Sequence, residues 1–202
     1  MNGLIHDRRA YLWTDTRLYH PTTGETLGEG AKAFEGAAWT WAAVHAGTFP
    51  MDDPHVLKRR ITERWPIGGE ALLAAAIDAL RLEADEGRIG RLLLAYPCEE
   101  HGARMFHLAN DAMPFAAAYE PYETVEFMSS GNGEPWAAQF SGRDLTPADM
   151  RRFIDYQVET PSETVCGWTG LSIGGNVVEI EVSSEGVTSR MVRAVESEAA
   201  AA

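Results

Sequence analysis

With 202 residues, 45% of them hydrophobic, the chain is long enough to bury a sizeable core as one domain, and its composition excludes a disordered, collagen-like or repeat architecture. A formal net charge of −13 argues against nucleic acid and an anionic membrane surface as partners, because both repel an acidic chain. No run reaches about 18 uninterrupted apolar residues, and His6, Asp7, Arg8 and Arg9 stand where a signal peptide would be apolar, so a cytoplasmic location and no membrane span are expected.

Leu4–Ile5 and Ala10–Thr14, separated by Asp7–Arg8–Arg9, read as a β-hairpin. Pro21 to Gly30, rich in Thr and Gly, reads as a loop or an irregular hairpin. Ala31–Phe34 and Ala37–Ala46 read as the next hairpin, turning at Glu35–Gly36, with Trp39 and Trp41 alternating as on a strand packed on one face.

Asp53–Arg64 is weakly helical and closes at Pro66. Gly69–Glu86 is strongly helical: Leu72, Leu73, Ala76, Ile77 and Leu80 recur on one face, and Gly87 ends the run. Arg91–Tyr96, Ala103–Leu108 and Pro121–Met128 are of strand length. Trp136–Phe140 opens a short helix. Thr146 is a good N-cap for a helix reaching Glu159, with Pro147 at the first helical position and Asp149 in the first turn. Val178, Ile180 and Val182 alternate with Glu179 and Glu181, which predicts a strand with one buried and one wet face. Val187–Val192 pairs back across a turn at Ser183–Gly186. The expected organisation is one domain over residues 1–195 and a fraying acidic tail over 196–202.

Blocks of hairpins separated by helix pairs predict antiparallel sheets packed together with helices outside: an α+β fold. Several motifs lie at the joints of this order. They are Trp13-Thr-Asp-Thr-Arg17, Gly30-Ala-Lys-Ala-Phe34, Ala42-Ala-Val-His-Ala-Gly47, Met128-Ser-Ser-Gly-Asn-Gly133, Asp144-Leu-Thr-Pro-Ala-Asp149 and Ile173-Gly-Gly-Asn-Val-Val178. In this order the chain resembles proteasome β-type subunits and the related bacterial ATP-dependent proteases, of the N-terminal-nucleophile (Ntn) hydrolase superfamily. The resemblance implies a four-layer αββα sandwich of two antiparallel sheets. It also implies a site in which an N-terminal Thr, Ser or Cys attacks a carbonyl while its own α-amine acts as base.

Carried onto this chain, the resemblance marks Asp15, Lys32 and Ser130 as the supporting catalytic set. Each has a plainer reading: Asp15 as a cap of the following turn, Ser130 as the cap of the next helix, Lys32 as a solvated group near a turn. The nucleophile's place falls on Met1, or on Asn2 if the register slips, and neither has a hydroxyl or thiol. The family's aspartate before the Gly-Gly turn falls near Gly170, and its serine near Ser172. The expectation is therefore a proteasome-like, peptidase-like fold with a degenerate site and a structural or accessory role. It would form a homo-oligomer or assemble with related subunits, and it needs no cofactor. The alternative is an active N-terminal-nucleophile peptidase or amidohydrolase, given an upstream start or processing.

Two further clusters are set aside. Cys98, Glu99, Glu100 and His101 carry metal-type ligands, but consecutive side chains on a turn diverge, so no metal is expected. His45, in an apolar run, reads as a core histidine.

Overall fold

A computed structural model of the chain describes residues 1–20, 25–48, 50, 53, 55–128, 144–159 and 174–194. Strands β1 (Asn2–His6) and β2 (Arg9–Asp15) form the first hairpin. Its turn residues Asp7 and Arg8 both have positive φ, 47° and 64°, the geometry that matches the twist of paired strands. The segment Pro21–Gly30, read as a loop or an irregular hairpin, contributes β4 (Thr26–Glu29), which pairs with β3 (Arg17–Tyr19) ahead of it.

β5 (Ala33–Glu35) and β6 (Ala42–Gly47) follow. The expected strand over Ala37–Ala46 is corrected here. Residues 37–40 are bends, and regular pairing begins only at Ala42. Gly36 N–H donates to Trp41 O (3.0 Å), closing a loop in which the Trp41 ring covers Gly36 and Trp39 packs on Tyr96. The tryptophan alternation thus comes from a loop folded onto the core.

Helices α1 (Val56–Thr62) and α2 (Gly69–Asp85) precede β7 (Gly90–Cys98) and β8 (Gly102–Ala109). The expected strand over Pro121–Met128 is two short ones, β9 (Tyr122–Glu123) and β10 (Glu126–Met128), in different sheets. The chain crosses between sheets at Thr124 and Val125: Thr124 N–H donates to Met105 O (3.0 Å), and Val125 O accepts from Ile5 N–H (2.7 Å). Helix α3 (Pro147–Glu159) starts with a reciprocal cap between Thr146 and Asp149, as its sequence predicts. β11 (Asn176–Ser183) and β12 (Gly186–Ala194) close the chain. The helix expected at Trp136–Phe140 and the tail 196–202 lie outside the described residues.

One sheet runs β10-β1-β2-β11-β12 and the other β5-β6-β7-β8-β9, all antiparallel. Between them lie Ala10, Leu12, Ile180 and Val182 from the first sheet against Val44, Leu93, Ala95 and Met105 from the second. On the outer face of the second sheet, Leu92, Leu94 and Phe106 pack on Leu57, Leu72 and Leu80 of α1 and α2. Beyond the first, Leu4, Trp13 and Val177 pack on Met150, Phe153 and Ile154 of α3. The result is the four-layer αββα sandwich of two antiparallel sheets that the sequence predicts. Among the described residues no helix is long and apolar enough to cross a membrane.

The sheets are in close contact at Gly3, where a Cβ would stand 2.6 Å from both Leu93 Cδ2 and Met105 Sδ. Gly3→Val is therefore expected to force the sheets apart and cost about 1–3 kcal/mol. Urea unfolding reads this directly, and an unchanged midpoint would remove the claim that the sheets are in contact there.

Candidate functional site

β2 ends at Asp15, and Lys32 lies just ahead of β5, so each sheet delivers one of the two residues. Lys32 Nζ donates to Asp15 Oδ1 at 2.7 Å, with both side chains nearly buried. Asp15 Oδ2 accepts from Gly174 N–H (3.3 Å), and Lys32 O accepts from His45 N–H (2.9 Å), which anchors the lysine's backbone to β6. The two charges therefore face each other across the seam between the sheets. His45 is buried, as expected.

A polar knot beside this pair fixes the loops that carry it. Thr16 Oγ1 accepts from Asn176 N–H (2.8 Å) and donates to Glu29 Oε2 (2.9 Å), which also accepts from Asn176 Nδ2 (2.8 Å). Gly30 N–H donates to Thr16 O (2.7 Å) and Arg17 N–H to Gly174 O (3.2 Å). Gly175, at φ 70°, makes the turn that lets Asn176 enter β11 here. Sequence reading missed Thr16, Glu29 and Asn176. Thr16 lies within the first motif and Asn176 within the last, so both were in view, but nothing in their spacing says that they meet.

Residue 1 completes the cluster. Asn2 pairs with Trp13, so the head of β1 lies beside Thr14 and Asp15. The Met1 side chain packs against the apolar layer between the sheets. Burial lowers the Met1 α-amine from 8.0 to about 6; the Asp15 charge opposes this shift and the Lys32 charge adds to it. At neutral pH that amine is largely unprotonated and able to take a proton. Asn2 does not share the site. It is buried on the other face of β1, where its Nδ2 donates to Gln157 Oε1 of α3 (2.8 Å).

A cleft of about 460 Å³ opens at this seam, lined by Thr14, Lys32, Phe34, Lys58, Val178 and Ser189 among others. The structure thus brings Asp15, Lys32 and the chain start together. Ser130, Gly170 and Ser172 lie outside the described residues, as does all of the Met128–Gly133 motif beyond Met128.

No protein-family model matches the chain, and no curated protein matches it. Solved structures do. A mutant of Anbu from Hyphomicrobium sp. strain MC1 superposes with a TM-score of 0.68 at 12% identity, covering 98% of this chain and 89% of that one. Anbu from the same strain gives 0.67 at 11% identity, covering 98% and 88%. Anbu, described as an ancestral beta-subunit, from Yersinia bercovieri gives 0.63 at 12% identity, covering 96% and 87%. These findings correct the motif-based assignment to proteasome β-type subunits and bacterial ATP-dependent proteases: no family model carries it, and the neighbours found are Anbu, at identities that support likeness of fold alone. The chain has the proteasome-like Ntn fold that Anbu displays.

Proposed function

We propose that this protein is an Ntn-fold protein with a degenerate site, in which the base and its electrostatic support are assembled around a residue that cannot act as nucleophile. The observation that carries this reading is the Asp15–Lys32 pair with the head of β1 beside it, the lysine lining the cleft. Acyl transfer needs a hydroxyl or thiol whose proton the amine can take. Met1 offers a thioether with no proton to give, and Asn2 faces the opposite side of the strand. Ser130 belongs to the same proposed set. A structural or accessory role, assembling with copies of itself or with related subunits, suits a chain that retains this scaffold. The likeness to Anbu supports the subunit role.

Hydrolysis of fluorogenic peptides is expected to stay at background for the protein beginning at Met1. Met1→Thr, produced behind a removable initiator methionine, is expected to raise turnover at least tenfold over that background. Hydrolysis by the parent at the variant's rate sinks the degenerate-site reading, and a silent Met1→Thr sinks the claim that the base half is assembled. Intact mass establishes the first residue in each sample.

A further inference from the structure

The two sheets of the sandwich have four edges, and three of them are short: β10 has three residues, β5 three and β9 two. A short edge offers little free backbone for another strand to pair with. The fourth edge, β12, runs for nine residues, and no described strand lies beyond it. Thr188, Ser189, Arg190 and Met191 are exposed on it, Met191 to 62%. The usual guards of such an edge are weak here. β12 has no lysine and no proline. Its irregularity, opposite Val177 and Val178, comes after Met191, so residues 186–191 keep a regular register. Arg190 spends its charge on Glu179 on the α3 side (2.9 and 2.6 Å).

We propose that β12 pairs with β12 of a second copy of this chain, antiparallel about a two-fold axis at Ser189, so that two five-stranded sheets become one continuous sheet. The alternation along β12 selects that register. Val187 stands opposite Val182, Ser189 opposite Ile180 and Met191 opposite Val178, so these three side chains share the face between the sheets. Thr188 and Arg190, opposite Glu181 and Glu179, share the α3 face. A two-fold axis perpendicular to the sheet keeps each face on its own side, so residues of like face must stand opposite each other. Centred on Arg190, the pairing sets two guanidiniums against each other, a destabilising like-charge contact. Centred on Thr188, it sets Met191 against Glu185 in the partner's turn. Centred on Ser189, it sets Met191 against the partner's Val187 and Arg190 against the partner's Thr188. Each of these contacts occurs twice, and no like charges are opposed.

The axis lies at the rim of the cleft, which Val178, Ile180 and Ser189 all line. Pairing therefore continues the wall of the cleft into the second copy and covers Met191, an apolar side chain left exposed in the single chain. The proposal gives the subunit role its surface and rests on that role for self-assembly. Pairing over residues 187–191 buries less than about 1,200 Å², the range of weak complexes, so a Kd of about 10–100 μM is expected.

Sedimentation velocity of the whole chain over a dilution series tests the dimer, which is expected to appear as the concentration crosses that Kd. Met191→Lys, at a position already exposed, is expected to weaken the dimer at least about tenfold and to leave the urea midpoint of the fold in place. Disulfide trapping reads the register. Ser189→Cys brings two cysteines opposite each other at the axis, with Cα atoms about 4.5–5.5 Å apart, a span that a disulfide bridges. Thr188→Cys leaves its two cysteines displaced along the strands, more than about 7 Å apart, too far to bridge. Under mild oxidation Ser189→Cys is expected to crosslink at least about fivefold faster than Thr188→Cys. Peptide mapping separates the 189–189 link from links through Cys98 or Cys166. A chain that stays monomeric at every concentration overturns the proposal together with self-assembly, and leaves the edge to a strand of another protein. An oligomer unmoved by Met191→Lys overturns the β12 surface while the subunit role stands. Equal or faster crosslinking of Thr188→Cys removes the register at Ser189.

Discussion

Acidification from about pH 7 to about pH 5 is expected to cost the fold about 4 kcal/mol through two buried histidines. Burial lowers His45 from 6.5 to about 3; a backbone hydrogen bond from its ring to Ala31 O opposes the shift and the Lys32 charge adds to it. Burial lowers His107 to about 4; the nearby Arg91 charge assists and Asp111 opposes. In the folded state both rings stay neutral at pH 5, whereas in the unfolded chain both are protonated below about 6.5. The unfolded state therefore binds more protons throughout this window, so stability rises with pH and falls on acidification. The Met1 α-amine acts in the same direction between about 6 and 8. Carboxylates held low by arginine partners, such as Asp111 and Glu123, lose their contribution only at lower pH. Urea unfolding at the two pH values measures the difference.

His107 offers a clean variant for the same experiment. Its ring stacks on Phe127 (centroids 4.6 Å apart) and meets Phe115 edge-on (5.4 Å), and no hydrogen-bond partner reaches its Nε2 among the described residues. His107→Phe keeps the stacking and removes the titration. It is expected to remove about 2 kcal/mol of the loss between about pH 7 and about pH 5, and a parent protein whose stability is flat over that window would count against both histidines.

Much of the architecture was legible because hydrophobic period and turn chemistry agreed. The α2 face, the β7–β8 hairpin and the Thr146–Asp149 cap each follow from local residues. The failures have one physical source: tertiary contact gives a residue a role that its own segment does not encode. Trp39 and Trp41 alternate like a strand, yet they lie on a loop folded over Gly36. The run from Pro121 to Met128 reads as one segment of strand length, whereas the structure splits it between two sheets at Thr124. At the site, Asp15 and Lys32 could be placed only through resemblance, because seventeen residues of separation imply no contact. The Thr16–Glu29–Asn176 knot joins loops from distant parts of the chain and left no signal in spacing.

Glu179 is the sharpest of these failures, and replacing it with alanine is expected to cost about 3 kcal/mol. By alternation it belongs to the wet face of β11. The structure buries it to 2% exposure, because α3 lies over that face. Burial pushes its carboxyl up, but hydrogen bonds from Arg151, Arg190 and Trp13 win and hold it below the usual carboxylate range. Arg151 donates to both its oxygens (2.7 and 2.9 Å), Arg190 adds two bonds to Oε1 (2.9 and 2.6 Å), and Trp13 Nε1 donates to Oε2 (2.8 Å). One carboxylate thereby ties β2, β11, β12 and α3 together. The arginine side chains keep 37% and 62% exposure, so water recovers part of their solvation when the acid is lost. Trp13 is fully buried and has no such recourse, and its orphaned N–H alone costs about 1–3 kcal/mol. Arg190→Ala, which removes only the more exposed partner, should cost less than about 1 kcal/mol. Urea unfolding of the two variants decides the matter: equal, small losses would mean that the buried indole, not the exposed arginine pairs, has been given too much weight. Because β2 runs from Trp13 straight to Asp15, loosening this cluster should also slacken the Asp15–Lys32 pair, linking the stability of the α3 layer to the geometry of the cleft.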